Sequence, residues 1–545
     1  MFDPTFRRRA LAGLSQPFDL VIVGGGITGC GVLLDAAQRG LRALLVEKGD
    51  LASGTSSRSS KLIHGGLRYL KQMQLRITRL ACRERDRLLQ LSPHLVQPVS
   101  FLYPAYEGDR TPGWQVDLGL WMYDRLTQRP DRHREVEPGE AQRLAPGLEL
   151  EGLDRALLYG DALTDDARLT IAVAATAAAY GGLVLARAEA IDAHRDAAGK
   201  VDGAVVRDLL SGEAHRVEAA VVLNATGHWT DAVRERFGLA GRRLRPSRGV
   251  HVVLPASLLP IEVALTVASP DDGRPVFFIP HPEGVLVGTT DLFHDGPLDD
   301  PRPTRAEVDY LLRVAMAAFP GRVTGASQLR GAFAGLRPIL QSHAETPSEA
   351  SRDEEVWEEE GLLNVAGGKL TTYRSTAEEV VDEVVKRLPP ERARRVGECA
   401  TAGTPLEGLA PADLPDRLSE RGVAPAVAAA MSRRLGSLAW TAVSLARTPD
   451  ERQPLVDGVD LTAAEARAHL RHGAVLRLED LLVRRARLAM WDPAAARAVV
   501  PRLAGVFQSE LAWAGPRWEA EEEAFAGALA AWTPEGVIEG GGGVK

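Results

Sequence analysis

Three stretches of this chain concentrate the residues best suited to chemistry. Gly24-Gly25-Gly26-Ile27-Thr28-Gly29 has GxGxxG spacing, and Glu47 follows about 20 residues later. In that pattern the first glycine permits a tight turn, the second lets the backbone approach a pyrophosphate, and the third lets a helix pack closely on a strand. A carboxylate at this distance accepts hydrogen bonds from the ribose hydroxyls of an adenosine. The second stretch, LASGTSSRSSKLIHGGLRYL from Leu51 to Leu70, crowds hydroxyls and small residues that cannot form a core. Such residues can hydrogen-bond a phosphate from side chain and backbone together, and Gly65-Gly66 with Arg68-Tyr69 add close approach and a fixed cation. The plain alternative is a solvated loop. The third stretch, Gly367-Gly368-Lys369-Leu370-Thr371-Thr372, again joins a glycine pair to hydroxyls at a helix start, where backbone amides stabilise negative charge.

Regular elements must hold these stretches in place. The β-branched run Asp19 to Val23 predicts a strand buried on both faces, Ile27 to Arg39 a helix ended by Gly40, and Arg42 to Val46 a second buried strand. Together they form a βαβ unit around the first glycines. A helix is expected from Arg79 to Leu91 and a strand from Pro98 to Tyr103. The acids between Asp161 and Asp166 read as the cap of a helix running to Tyr180, and capping alone explains them. Strands at 182–190, 203–208 and 221–224 follow. Strands at 276–279 and 284–288, with a helix at 306–319, suggest an antiparallel sheet with helical cover. A helix over 375–388 follows the third stretch. Helical periodicity then dominates over 424–445, 463–490 and 493–529, and a glycine-rich tail closes the chain.

Composition narrows the class. At 545 residues the chain is too long for one core, and 45% apolar with 25% charged residues is ordinary for a soluble globular protein. A net charge of −8 argues against a nucleic-acid partner. Cys30, Cys82 and Cys399 have no CxxC spacing, so neither a disulfide framework nor a metal site is expected. No apolar run approaches the ~20 residues of a membrane span, which predicts a cytoplasmic protein. Phe2, Phe6, Leu11 and Leu14 beside Arg7 to Arg9 suggest a short amphipathic anchor, whereas the aromatics Trp114, Trp121 and Tyr123, with basic neighbours, read first as packing against the protein itself, with contact to a membrane surface as the alternative.

The segment TSSRSSKLIHGGLRYL, the GGGITGCG turn before it and later motifs in the same order resemble the flavin-dependent glycerol-3-phosphate dehydrogenases, within the D-amino-acid-oxidase-like flavoproteins. The resemblance runs from about Asp19 to Trp491. It implies FAD, where the residues alone imply only a dinucleotide. It also implies a Rossmann-like α/β FAD-binding domain (17–98, 155–245 and 355–388), an inserted α+β substrate domain of mainly antiparallel sheet (99–154 and 246–354), an all-α C-terminal domain (389–532) and a disordered tail (533–545). The cofactor residues are then Gly24, Gly26, Ile27, Thr28, Gly29, Glu47, Thr55, Ser56, Ser57, Lys61, His64 and Gly65, the turn Ala225-Thr226-Gly227, and Gly368, Lys369, Leu370 and Thr371. The family usually has Pro where this chain has His228 before Trp229, a departure expected to change turn stiffness.

The implied reaction is oxidation of sn-glycerol 3-phosphate to dihydroxyacetone phosphate. Such an oxidation needs a base for the hydroxyl proton and a clamp for the phosphate. Arg68, Arg337, Arg352 and Lys369 are expected to converge on the phosphate, with Tyr69 and Thr371 adding hydroxyl bonds. His251 is the first candidate for the base, because imidazole titrates near neutrality, and His64 is the second. Relatives without a long insertion usually pass electrons to membrane quinone, while the oxidases use oxygen and carry an extra segment not seen in this chain. An oxidase acting on an amino or hydroxy acid is the rival reading. The chain is expected to lie in the cytoplasm, bound peripherally to the inner face of the membrane, and a homodimer is compatible with it.

Overall fold

In the computed structural model, the described residues are 2–67, 74–127, 132–342, 346–347 and 354–539. Among them, the strand Phe18–Val23 is central to an eight-stranded sheet. Its neighbours are the parallel strands Ala43–Glu47 and Ala214–Asn224, with Leu183–Ala186 outside the first and Leu362–Ala366 outside the second. The βαβ unit is therefore real, with its helix at Ile27–Gln38. Because the chain leaves Phe18–Val23 toward one neighbour and returns later on its other side, a crevice opens at the carboxyl end of that strand. Helices Ile27–Gln38, Asp166–Ala179 and Tyr373–Val385 cover one face and bury Leu20, Ile22 and Leu45. The hairpin Ala188–Arg195 and Val201–Asp208 extends the sheet by pairing with Ala214–Asn224.

The second sheet has ten strands among the described residues and is antiparallel except where Ala264–Ala268 runs parallel to Val96–Tyr106. Helix Arg305–Ala318 covers one face, its start fixed by a capping box between Thr304 and Glu307. The boundary near residue 154 shifts here. The strand Leu153–Thr164 pairs with Val96–Tyr106 through Thr164, so the chain re-enters the cofactor domain only at the helix Asp166–Ala179. Asp165 caps that helix by accepting from the Arg168 amide. Asp161 does not cap it, but lies in the strand and binds Arg85.

The other face of the second sheet carries the C-terminal helices, with Trp491, Phe507, Trp518 and Trp532 packed toward Phe101, Tyr159 and Phe333. Helical periodicity misreads 463–490. The helix Ala463–His472 stops, Ala474 and Arg487 take positive φ, and a wide π-type turn occupies Asp480–Arg485. Ionic contacts of Arg484 and the burial of Leu481, Leu482 and Val483 in the core together hold this turn. Thr533–Glu539 is not loose either, since the Ile538 amide donates to the Pro303 carbonyl at 2.9 Å and its carbonyl accepts from Arg305 at 3.0 Å. Residues 540–545 lie outside the described set.

The expected N-terminal anchor is overturned. Phe2, Phe6 and Leu14 are buried, the helix Phe6–Gly13 lies along Leu183–Ala186, and Arg7 pairs with Asp208. No helix among the described residues is long and apolar enough to cross a membrane.

Candidate active site

A cleft enclosing about 1340 Å³, open mouth included, runs over the carboxyl end of Phe18–Val23. The turn Gly24–Thr28 forms its floor, Glu47 and Ala188–Ala190 one end, and Ser53–Ser56 a side. Ala225–Trp229 and Gly367–Leu370 complete the walls. Gly24 has φ +113, and a Cβ there would come 2.6 Å from the Ala225 carbonyl oxygen. At Gly29 a Cβ would meet the Gly24 oxygen at 2.0 Å, so this glycine serves packing and does not line the cleft.

Glu47 accepts from the Gly25 and Gly49 amides, each at 2.6 Å. Burial raises its pKa, and these two amides oppose the rise. A carboxylate has about four acceptor positions, so lone pairs remain for ribose hydroxyls. Ser56 Oγ accepts from the Ile27 amide at 2.9 Å and so ties the hydroxyl-rich stretch to the helix start. Thr55 Oγ1 donates to the Leu336 carbonyl at 2.6 Å and lies 3.2 Å from His228 Nδ1. A hydroxyl has one proton, so His228 Nδ1 is the donor to Thr55 and the imidazole holds its proton there. His228 thus links the Ala225–Gly227 turn to the hydroxyl-rich stretch, which its reading as a matter of turn stiffness missed. Its rigid, donating ring was signalled only by the departure from Pro. Lys48 and Trp229 at the cleft mouth both donate to Asp299 of the second sheet's domain, at 2.7 and 2.8 Å.

Ser57, Lys61, His64, Gly65 and Thr371 do not line this cleft. Lys61 is buried with Asp166, its Nζ 3.0 and 3.1 Å from the two carboxylate oxygens. Burial and the charge of Arg487 lower Lys61 to about 8. Asp166 stays below the usual carboxylate range despite burial, because Lys61 and Arg487 hold its charge. The Thr371 hydroxyl accepts from the His64 amide at 3.2 Å and donates to the His64 carbonyl at 3.3 Å, joining the second and third glycine-bearing stretches. The Gly65 amide donates to Tyr123 Oη at 2.9 Å and Asp161 at 3.2 Å, and Arg85 donates to both of those groups. This buried Arg85–Tyr123–Asp161 group was not foreseen.

His251 and Arg337 come together in the second sheet. His251 pairs across from Gly288 and Phe333, and Ser247 from Arg337. The Arg337 guanidinium lies over Gly249, where a Cβ would come 2.5 Å from Nη2, and Gly249 shares a sheet face with His251 two residues on. Arg337 donates to Asp291 at 3.1 Å and to Thr289 Oγ1 at 3.2 Å. Asp291 stood in plain view after the strand Gly284–Gly288, without any spacing signal to pair it with Arg337. His251 is 2% exposed, its Nε2 is 2.9 Å from Ser60 Oγ, and its ring stacks on Phe333 at 5.2 Å. Burial, then the charges of Lys61 and Arg337, lower its pKa to about 3. Arg68, Tyr69 and Arg352 lie outside the described residues.

Comparison with known proteins agrees with this architecture. Residues 19–383 match the family described as FAD dependent oxidoreductase, and residues 399–517 the C-terminal domain of alpha-glycerophosphate oxidase. The aerobic glycerol-3-phosphate dehydrogenase of Staphylococcus haemolyticus is 40% identical over 398 residues, 72% of each chain. That of Staphylococcus aureus is 38% identical over 398 residues, again 72% of each chain. The crystal structure of the glycerol-3-phosphate dehydrogenase from Bacillus halodurans complexed with FAD superposes with a TM-score of 0.79 at 27% identity, covering 99% of this chain and 100% of that one. L-alpha-glycerophosphate oxidase from Mycoplasma pneumoniae shares the fold alone, at 19% identity and a TM-score of 0.54 over 68% of this chain and 95% of its own. The glycine-floored cleft, the buried ribose-side acid and the two-sheet architecture fit FAD, and the chain belongs to the FAD-dependent oxidoreductases, in the family of the aerobic glycerol-3-phosphate dehydrogenases.

Proposed function

We propose that this enzyme oxidises sn-glycerol 3-phosphate to dihydroxyacetone phosphate and passes the electrons to membrane quinone. The observation that carries the reading is the pairing of a buried imidazole and a guanidinium, His251 and Arg337, on one face of the second sheet. FAD, when bound, supplies the hydride acceptor. Gly24, Gly26, Ile27, Thr28, Glu47, Thr55, Ser56, the Ala225–Gly227 turn and Gly368–Leu370 would hold it, with Gly29 packing behind. Arg337, oriented by Asp291 and Thr289, would grip the substrate phosphate from one side, and Lys369 from the glycine-pair turn. Arg68, Tyr69 and Arg352 complete the grip in this reading. His251 would take the hydroxyl proton as the hydride departs, so the alcohol loses one hydride and one proton and becomes the ketone. The Ser60 contact at Nε2 would hold the ring in place for that transfer.

Access to quinone requires a lipid surface. The helix Gly113–Asp124 buries Val116, Leu120 and Tyr123 and turns Trp114, Leu118 and Trp121 outward, 57, 51 and 48% exposed. These three sit four and three residues apart on one face, and the Arg125 guanidinium stacks 3.4 Å from the Trp121 ring. An apolar ridge with interfacial tryptophans and a cation suits the headgroup region of a bilayer. Steady-state assays with glycerol 3-phosphate and a short-chain quinone analogue test the proposal. Glycerol without its phosphate should be a poor substrate and oxygen a poor acceptor; equal turnover of glycerol, or faster turnover with oxygen, would contradict it.

A further inference from the structure

The turn Glu479–Arg487 of the C-terminal domain contributes no residue to the wall of the cofactor cleft among the described residues. Its charges nevertheless reach both loops at the Glu47 end. Arg484 Nε donates to Asp50 Oδ2 at 2.5 Å, and Arg485 Nη1 donates to the same oxygen. Asp50 is three residues past Glu47. Arg484 Nη2 also donates to Asp480 Oδ1 at 2.9 Å, and that oxygen accepts from Arg187 Nη2. Arg187 directly precedes Ala188–Ala190 of the cleft wall, and its amide donates to the Gly49 carbonyl at 3.0 Å. The contacts therefore close a ring through Gly49, Asp50, Arg484, Asp480 and Arg187.

Asp50, Asp480, Arg484 and Arg485 are all at most 3% exposed. Asp480 is aimed by the Leu476 and Arg477 amides, which donate to its other oxygen at 3.0 and 2.9 Å. Charges buried this deeply are tolerated only while paired, so the ring is stable only when both loops and the turn are docked together. A second tie lies at the turn's end, where Arg487 Nη2 donates to Asp166 at 2.9 Å and to the Ser57 carbonyl at 3.2 Å, next to Ser56 of the cleft. The π-type winding of Asp480–Arg485 points Arg484 and Arg485 toward one carboxylate, which consecutive residues of a regular α-helix, about 100° apart, do less readily.

We propose that Glu479–Arg487 is a clasp on the cofactor cleft. It sets the separation of the loops carrying Glu47 and Ala188–Ala190, so FAD affinity depends on docking of the C-terminal domain, and FAD in turn tightens that docking by the same factor. The proposal rests on the assignment of FAD to this cleft. Arg187, Asp480 and Arg484 are positioning residues in it.

The test titrates FAD into deflavinated full-length protein and follows flavin fluorescence. Arg187→Gln should weaken FAD binding about tenfold, within the usual range of coupling between sites. Arg187→Lys, which keeps the charge opposite Asp480, should restore most of the affinity. Arg471→Gln, which breaks a surface pairing with Glu510 inside the C-terminal domain, should leave it unchanged. Native affinity in Arg187→Gln would overturn the clasp, while failure of the native protein to bind FAD would overturn the cofactor assignment instead. Hydrogen exchange of the native chain gives a reading independent of any variant. FAD should slow exchange across 479–487, and identical exchange with and without FAD would overturn the proposal.

Discussion

Ser60 Oγ lies 2.9 Å from His251 Nε2 and joins the hydroxyl-rich stretch to a strand 191 positions away. The bond engages one imidazole nitrogen, while Nδ1 is buried without a hydrogen-bond partner among the described residues. The same contact orients the ring against Phe333.

Replacing His251 with Asn should slow flavin reduction by glycerol 3-phosphate about 10²- to 10⁴-fold, the usual contribution of a positioned base. FAD should stay bound, because His251 does not line the cofactor cleft. Ser60→Ala, which removes only the orienting bond, should cost less, on the order of tenfold. Stopped-flow reduction kinetics read both, and undiminished rates in His251→Asn would remove it from the mechanism.

Arg337→Ala should lower kcat/KM for glycerol 3-phosphate by at least about 10²-fold, since orientation of the substrate is lost together with charge. Arg337→Lys should recover little, because an ammonium lacks the planar fork that grips two phosphate oxygens. Asp291→Asn keeps the guanidinium but weakens its anchor, and should raise KM more than it lowers kcat. Steady-state kinetics at saturating acceptor separate these outcomes.

Stability should fall as the solution is acidified through pH 6.5. Burial lowers His228 and His251 to about 3 and His469 to about 4, whereas an unfolded chain protonates histidine near 6.5. Between those values the unfolded state binds more protons, so stabilisation is complete above about pH 6.5 and declines below it. Each histidine contributes up to roughly 1.4 kcal/mol per pH unit. Melting temperatures between pH 7.5 and 5 should drop steadily, and less steeply in His251→Asn. A flat native profile would contradict the burial of these imidazoles in neutral form.

Exchanging Trp114 and Trp121 for Ser should release the protein from anionic vesicles without affecting oxidation of glycerol 3-phosphate assayed with a water-soluble acceptor. Co-sedimentation measures the first and dye reduction the second. If native protein fails to sediment with vesicles at low salt, the ridge is not a membrane contact.

The βαβ unit was legible in the sequence because its signals are local: β-branched runs, glycines and an acid within 30 residues of one another. That part of the hydroxyl-rich stretch lies along the cofactor cleft was legible, yet its division of labour was not. Ser56 and Thr55 face the cleft while Lys61 turns inward to Asp166, 105 positions away. Pairings of that span, such as His64 with Thr371 and Asp50 with Arg484, leave no periodic trace. Periodicity also misled at 463–490, where the apolar residues are buried but the helix is broken at Ala474 and Arg487, and where apolar residues near the N-terminus suggested a membrane anchor but filled a core. The domain boundary expected at 154/155 falls inside the strand Leu153–Thr164, whose pairing with Val96–Tyr106 across the second sheet leaves no local trace in the sequence.

The most direct measurement is the flavin absorbance of the purified protein, followed without oxygen as glycerol 3-phosphate is added. The yellow band should bleach fully with about one equivalent of substrate and return on adding a quinone analogue. A band that persists with excess glycerol 3-phosphate, but bleaches with an amino or hydroxy acid, would contradict the proposed phosphate grip and the reaction built on it.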